Sequence, residues 1–209
     1  MSEIAMAIIG AQYKTGSDND GVAQSTLSKF LTFSSNPPSF FEWASVTDGQ
    51  GYYSISALAY WPSRTAYETW AAESGFQEWW QALNPEECRN GWFLEVFFPP
   101  MDRFETLFNT NQTPEGCAHM KESMSGEVQE HGYWGSMRDR LPAAQTASLG
   151  GISATTTAED VQPESSDMTS RNRVSIPGKK NLAVIRSGQD WLDTSPQERT
   201  LYLETMGTK

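Results

Sequence analysis

The sequence has few of the residues that build metal or disulfide sites. Its two cysteines, Cys88 and Cys117, do not form a CxxC pair, and neither of its two histidines, His119 and His131, has another histidine or a cysteine three or four positions away. This scarcity excludes zinc-finger spacing and a disulfide framework. Two lone thiols are typical of a reducing compartment, so we predict a cytoplasmic protein.

Long apolar runs and an excess of basic residues are also missing. No run approaches the ~20 residues that a helix needs to cross a bilayer, and the start of the chain, with Glu3, lacks the basic region of a signal peptide. The 209 residues include 15 basic and 26 acidic side chains, a net charge of −11. Nucleic acids and anionic membranes select positive surfaces, so we predict neither as a partner. The phosphate-binding and serine-hydrolase motifs GxGxxG, GxxxxGK and GxSxG are absent as well.

What the first half does contain is a regular succession of apolar segments with turn and cap signals between them. Their order, β-α-β-β-α-β, is the ferredoxin-like pattern. We therefore predict an α+β fold, a ferredoxin-like repeat of the dimeric α/β-barrel type, with residues 3–99 as one complete unit. The predicted elements are the strands Ile4–Tyr13, Phe40–Val46, Tyr52–Trp61 and Gly91–Phe98, the helices Val22–Phe33 and Arg64–Ala72 (capped by Ser63), and a helical piece through Phe76, Trp79, Trp80 and Leu83 with a Ser74–Gln77 capping box.

The second half resembles an incomplete second repeat over residues 100–209. It has strand-like runs at Phe104–Asn109 and Asn181–Ser187, and a helix that starts with a Ser195–Glu198 capping box and Pro196. Between them, residues from about 143 to 173 are polar and poor in aromatics, which predicts a mobile loop. The motifs HGYWGSMRDR and RSGQDW flank that loop.

The run HGYWGSMRDRLP, which starts at His131, places two arginines and an acid within three positions. On an extended segment, Arg138 and Arg140 would point the same way and could face one pocket, where guanidinium groups suit an oxyanion or a carboxylate. The alternative is that an Arg–Asp cluster with Asp139 pins a loop to the body of the protein. Structural ion pairs are common, and spacing alone favours that alternative.

Ser187 ends a strand-like run and enters a turn, in the sequence RSGQD. Loops at strand ends often carry functional side chains, and a serine there could hydrogen-bond a small polar substrate. The alternative is a turn or cap serine, which residue type and position alone favour.

Three segments occur in a fixed order: HGYWGSMRDRLP, NLAVIRSGQDW and ERTLYLE. In this order they closely resemble the haem-containing aldoxime dehydratase family, known for phenylacetaldoxime dehydratase. The longer run SGEVQEHGYWGSMRDRLPAAQT resembles the family's longest characteristic segment almost without interruption. A weaker similarity runs back through RFETLF to the start, so the resemblance covers most of the chain.

The resemblance implies a carbon–nitrogen lyase that dehydrates an aldoxime, R–CH=N–OH, to a nitrile. It also implies haem b as the cofactor, because in the family the aldoxime nitrogen binds ferrous iron, which acts as Lewis acid and electron donor. A family histidine protonates the departing hydroxyl, and a serine and an arginine hold that hydroxyl by hydrogen bonds. The family's serine and arginine correspond to Ser187 and Arg140, so the resemblance implies that these are the catalytic residues. It also implies that the partner is a small-molecule aldoxime substrate.

The chain departs from the family pattern in its last part. The family's axial and acid histidines follow the RSGQDW motif and its helix, and no histidine follows that motif here, so we expect a C-terminally truncated member. By analogy between the repeats, the absent axial ligand corresponds to Tyr60. His131 matches a different family histidine, and the resemblance assigns no role to Arg138, for which an ion pair with Asp139 and a haem-edge contact both remain open.

Three interpretations follow from the motifs and this departure. The first is an active aldoxime dehydratase. The second is a truncated member, from an incomplete gene or a split enzyme, that is inactive by itself because the two histidines are missing. The third is a non-catalytic ferredoxin-like module for binding or dimerisation. We expect family membership and a homodimer.

Overall fold

The computed structural model describes residues 1–15, 21–33, 35–107, 114, 116–128, 134–150, 182–185 and 195–206. These residues belong to two compact units, and each is considered by itself. The first unit contains the described residues up to Leu149, and the second contains those from Gly150 onward.

A four-stranded antiparallel sheet forms the centre of the first unit. The strands are β1 (Ala5–Lys14), β2 (Phe40–Thr47), β3 (Tyr52–Trp61) and β4 (Gly91–Phe97). Their order across the sheet is β2-β3-β1-β4, so β1 and β3 are the central strands. Met6 lies opposite Tyr60 on one side and Phe97 on the other. The side chains alternate between the two faces, and both faces of the central strands are apolar.

Three helices pack on one face of the sheet and enclose the main core. They are α1 (Val22–Leu31), α2 (Arg64–Glu73) and α3 (Phe76–Ala82). The Oγ of Ser63 accepts a hydrogen bond from the backbone nitrogen of Ala66 at 3.1 Å, which confirms the predicted cap of α2. Trp70 and Phe76 are buried between these helices and the sheet. No helix in the described part of the chain is long and apolar enough to cross a bilayer.

The turn between β2 and β3 confirms the predicted Asp-Gly hairpin. One carboxylate oxygen of Asp48 accepts hydrogen bonds of 2.9 Å from the backbone nitrogens of Gln50 and Tyr52. Gly51 has a φ of 81°, in the left-handed region that glycine tolerates without strain. The Asx-type bonds and the glycine together reverse the chain between Thr47 and Tyr52.

The second face of the sheet is covered at one end by the chain that follows β4. Phe104 and Met120 are buried there against Tyr60 and Met6. Met120 ends a short 3-10 turn, Gly116–Met120. This segment gives the central strands a second apolar cluster, so part of residues 100–149 is packed onto the four-stranded sheet.

The predicted α+β class is confirmed in its coarse form, since helices pack on an antiparallel sheet, but three predicted details are wrong. Residues 104–107 have no regular secondary structure, although Phe104 is buried. Residues 182–185 are likewise not a strand, because in the described part of the chain no other strand pairs with them. An apolar run becomes a strand only where a partner supplies hydrogen bonds.

The third error is the Ser74–Gln77 capping box of α3. Gly75 occupies the N-cap with a φ of 77° and makes no side-chain cap, while Ser74 Oγ accepts from the backbone nitrogen of Phe76 at 3.3 Å. The cap therefore shifts by one residue, because the α2–α3 turn requires a left-handed residue between the helices.

The second unit contains α5 (Pro196–Met206), where Ser195 Oγ accepts from the backbone nitrogen of Glu198 at 3.2 Å, as predicted.

Glu73 ties the end of α2 to the loop before β2. Its carboxylate accepts hydrogen bonds from Ser35 Oγ and, at 3.0 Å, from Asn36 Nδ2. These two bonds, chiefly the one from Ser35, hold the pKa of Glu73 below its ordinary value of 4.5. A carboxyl group with a lowered pKa adds stability above its ordinary pKa, and that stability is lost as the pH falls through the lowered value.

We therefore expect Glu73→Gln to melt below the wild type at neutral pH, and the two proteins to converge in strong acid. The neutral amide cannot gain the extra stabilisation that the charged carboxylate obtains from the two donors. Thermal melts followed by circular dichroism across this pH range measure the difference. A difference that stays constant from neutral to acidic pH would contradict the assignment.

Candidate functional site

The two arginines of the MRDR run lie on a helix and not on an extended segment. Residues Trp134–Arg140 form α4. Residues two positions apart on a helix are separated by about 200° around its axis, whereas on a strand they would share a face. The prediction that Arg138 and Arg140 face one pocket is therefore wrong, and their guanidinium groups have different surroundings.

Arg138 makes structural contacts at the end of α4. Its Nη1 lies 3.1 Å from Asp139 Oδ1, and its Nη2 donates a 2.8 Å hydrogen bond to the carbonyl oxygen of Ser148. The side chains of Arg138 and Asp139 are 51% and 76% exposed. Of the roles left open for Arg138, the ion pair with Asp139 is present, and the alternative of a cluster that pins a loop is correct for this arginine.

Arg140 lies in a different environment, beside Glu105. Arg140 Nε is 3.8 Å from Glu105 Oε2, an ion-pair distance that is too long for a hydrogen bond, and the two side chains are only 21% and 19% exposed. This Nε is shielded from solvent and has no hydrogen-bond acceptor among the residues that the structure describes. A shielded polar group without a partner costs free energy. The N–H is therefore suited to bind an oxygen atom of a ligand.

Glu105 was missed by the sequence analysis, which assigned it to a strand. The chain reaches it through a 3-10 turn, Met101–Arg103, that begins four residues after the end of β4 at Phe97. Next to Glu105, the carbonyl oxygen of Phe104 accepts a 3.0 Å hydrogen bond from Lys121 Nζ. Glu105 Oε1 accepts from the backbone nitrogen of Thr106 at 2.9 Å, which leaves Oε2 on the side of Arg140. The available signal was a single acid within the apolar run RFETLF.

The other residues singled out by the sequence do not join this pair in the described structure. Ser187 and His131 lie outside the described residues. His119 is exposed, and its ring stacks on that of Phe40 with the centroids 3.7 Å apart. Tyr60, which corresponds to the axial ligand by analogy between repeats, is fully buried in β3.

Arg140 and Glu105 suit an oxygen ligand, but the described residues by themselves do not fit a haem. His119 is the one histidine whose position is described. It is exposed and stacks on Phe40, whereas a haem ligand has a buried, apolar environment. No axial ligand is therefore assigned within the described residues.

Comparison with known proteins identifies the family. A family model described as haem-containing dehydratase matches residues 7–209. The aliphatic aldoxime dehydratase of Pseudomonas chlororaphis is 32% identical over 205 residues, 98% of this chain and 56% of the relative. The phenylacetaldoxime dehydratase of Bacillus sp. (strain OxB-1) is 30% identical over 154 residues, 73% of this chain and 42% of the relative.

Two solved structures are similar to the fold. One is an aldoxime dehydratase crystallised in complex with butyraldoxime, with a TM-score of 0.64 and 26% identity over 72% of this chain and 42% of that chain. The other is also a crystal structure of aldoxime dehydratase, with a TM-score of 0.63 and 29% identity over 72% of this chain and 43% of that one.

The chain belongs to the haem-containing dehydratase family, as the motifs predict. The predicted cofactor, haem, is confirmed as the cofactor of that family. The chain spans about half the length of its relatives, 56% of the Pseudomonas chlororaphis protein.

Proposed function

We propose that this chain carries the part of an aldoxime dehydratase active site that binds the leaving hydroxyl group. The observation that carries the proposal is Arg140, whose shielded Nε lacks an acceptor among the described residues and lies 3.8 Å from Glu105. The names of the relatives support an aldoxime as the substrate class, and the neighbour crystallised with butyraldoxime supports it further.

The proposed reaction is R–CH=N–OH → R–C≡N + H2O. The N–O bond breaks and its electron pair leaves with the hydroxyl, which takes up one proton and departs as water. The carbon loses its hydrogen as a proton, and the former C–H pair forms the third carbon–nitrogen bond. In this scheme, Arg140 donates a hydrogen bond to the oxygen that becomes negative as the N–O bond lengthens, and Ser187 donates a second.

Glu105 is proposed to hold the Arg140 guanidinium in place for this task. The two side chains are largely buried, so their attraction is screened less by salt than that of a surface pair. An arginine stays charged at any working pH, so its role is to bind and orient, and the protons must be moved by another group.

We expect Glu105→Gln to lower kcat for an aryl aldoxime about tenfold, because a misdirected Arg140 loses part of one charge-assisted hydrogen bond in the transition state. The assay measures nitrile by gas chromatography, without oxygen, for haem-loaded protein expressed from the full-length transcript. Sequencing that transcript also tests whether the reading frame continues into the family's two histidines.

Glu95→Gln is the matched control for this measurement. Glu95 is an exposed acid on β4, so its replacement removes the same charge without touching Arg140. Equal activity of Glu105→Gln and the wild type would refute the role of Glu105. The absence of nitrile formation by the wild type itself would refute the proposed function.

The order of the elements also supports a proposal on how the chain is divided into repeats. We infer that residues 3–99 form a complete ferredoxin-like repeat and that residues 100–209 belong to a second, partial one. The order of elements in the first 99 residues and the strand order β2-β3-β1-β4 support the first part. Of the loop predicted at about 143–173, residues 151–173 lie outside the described residues. Its start includes a 3-10 turn, Pro142–Gln145.

A non-catalytic module for binding or dimerisation is the second candidate. The observation that favours it is that His119, the one histidine whose position is described, stacks on Phe40 at the surface. For both candidate functions, we propose that the protein is a homodimer and lies in the cytoplasm. The two cysteines support the location, because they do not form a disulfide and both are half-buried.

A further inference from the structure

The end of α4 is wrapped by the residues that follow it, and the side chains of Arg138 and Gln145 make the contacts. Gln145 Nε2 donates a 2.8 Å hydrogen bond to the carbonyl oxygen of Asp139. Arg138 Nη2 donates one of 2.8 Å to the carbonyl oxygen of Ser148. The two bonds run in opposite directions, from the loop to the helix and from the helix to the loop. We call this pair of contacts the α4 clasp.

A clasp is needed here because α4 is short. Its seven residues make too few backbone hydrogen bonds to be stable without outside contacts. The last carbonyl groups of any helix have no partner within the helix. Gln145 satisfies the carbonyl of Asp139, and the backbone nitrogen of Leu141 bonds the carbonyl of Arg138 at 3.1 Å. These bonds fix the backbone immediately before and around Arg140.

The clasp also reaches the element that presents Glu105. The turn Pro142–Gln145 contacts the turn Met101–Arg103, and Ala143 is buried. Glu105 follows Met101–Arg103 by two residues. The contact between these two turns therefore links both members of the ion pair. Gln145 ends the turn Pro142–Gln145, and Glu105 lies just beyond the turn Met101–Arg103.

We propose that Arg138 and Gln145 are positioning residues that orient Arg140 toward Glu105 through the α4 clasp. Arg138 and Gln145 touch no reacting atom in this scheme, and they act by fixing the backbone that carries Arg140. The catalytic consequence rests on the proposed role of Arg140, whereas the structural consequence does not. The proposal gives each arginine of the motif its own role. Arg140 faces Glu105, and Arg138 stabilises the helix that carries Arg140.

The test follows the Nε–Hε proton of Arg140 by NMR in the full 209-residue chain. The resonance is assigned by its loss in Arg140→Lys. In Arg138→Ala and in Gln145→Leu, we expect exchange of this proton with solvent to become about tenfold faster, because loss of a clasp bond allows local opening. Arg138→Lys keeps one donor for Ser148 and should restore much of the protection.

Two exposed positions provide matched controls, Arg89→Ala and Gln77→Leu, which remove the same groups elsewhere on the surface. Circular dichroism identifies any variant that fails to fold, and the milder Arg138→Gln then takes its place. Wild-type exchange rates in the well-folded clasp variants would overturn the proposal, and so would an Arg140 proton that is unprotected in the wild type.

The kinetic arm separates this proposal from the proposed function. In haem-loaded protein from the full-length transcript, the clasp variants should lose kcat with KM nearly unchanged, and Arg138→Lys should recover it. Normal kcat in variants whose Arg140 proton has become unprotected would overturn the positioning role. If no form of the protein converts an aldoxime, the proposed function fails, while the exchange measurement still decides whether the clasp orients Arg140.

Discussion

Ser187→Ala should lower turnover of an aryl aldoxime about a hundredfold, because removing one preorganised donor to the developing oxyanion typically costs about 3 kcal/mol. Arg140→Lys should be comparably damaging, since a compact ammonium cannot reproduce the planar, directed N–H groups of a guanidinium. If the two residues bind the leaving hydroxyl as proposed, both variants remove an interaction that forms as the N–O bond breaks, so kcat should fall more than KM rises. Steady-state kinetics in the haem-loaded protein from the full-length transcript provide the measurement.

Ser195→Ala is the matched control, because Ser195 is a structural serine that caps α5. Its loss should cost about 1 kcal/mol of helix stability and leave turnover unchanged. Full activity of a well-folded Ser187→Ala protein would end the proposal that this serine binds the substrate. If Ser187 is only a turn serine, its variant should behave as Ser195→Ala does.

Trp70→Ala should be the most destabilising single substitution considered for the first unit. Trp70 is fully buried, its ring lies 4.6 Å from that of Trp61 and 4.9 Å from that of Phe76, and its Nε1 donates to the carbonyl oxygen of Phe30 at 3.0 Å. Deleting a buried tryptophan typically costs about 3–5 kcal/mol. For a protein of this size, that corresponds to a fall of about 6–20 °C in the melting temperature.

Differential scanning calorimetry of Trp70→Ala, Trp70→Phe and Val22→Ala measures this effect. Trp70→Phe keeps most of the ring packing and loses the hydrogen bond, so its loss should be smaller. Val22 is 50% exposed on α1, and its truncation should change the melting temperature little. A small effect of Trp70→Ala would mean that the aromatic cluster between the helices and the sheet is not the main core.

The elements of the first half could be predicted because their signals are local. The apolar runs of β1 and β3, the Ser63 cap and the Asp48 turn each depend on residues a few positions apart. Local geometry also explains Gly51, where a positive φ is needed. Gly10 is different: a Cβ there would overlap the ring of Phe93 and lie 2.5 Å from the carbonyl oxygen of Ile55. Only the pairing of β1 with β3 and β4 reveals that requirement.

The surroundings of the candidate site could not be predicted, because they depend on contacts between distant residues. Glu105 and Arg140 are 35 positions apart in the sequence, and no periodicity relates them. The MRDR run is a helix and not an extended segment because the clasp contacts stabilise it. The seven residues of α4 are too few for a periodic apolar pattern to predict the helix from the sequence. Residues 104–107 and 182–185 failed as strands because an apolar run does not specify its hydrogen-bonding partner.

By itself, the sequence determined the family, through motifs that are recognised by their residue types and their order, and it determined the four strands of the first unit and the helices α1, α2 and α3. It singled out Arg140 as well, through the motif that contains it. Tertiary structure alone decided that Arg140 faces Glu105 and that Arg138 bonds Ser148. The physical reason is that the signals for turns, caps and helices lie between neighbours along the chain, whereas the partner of a strand or of a side chain is set by how the elements pack.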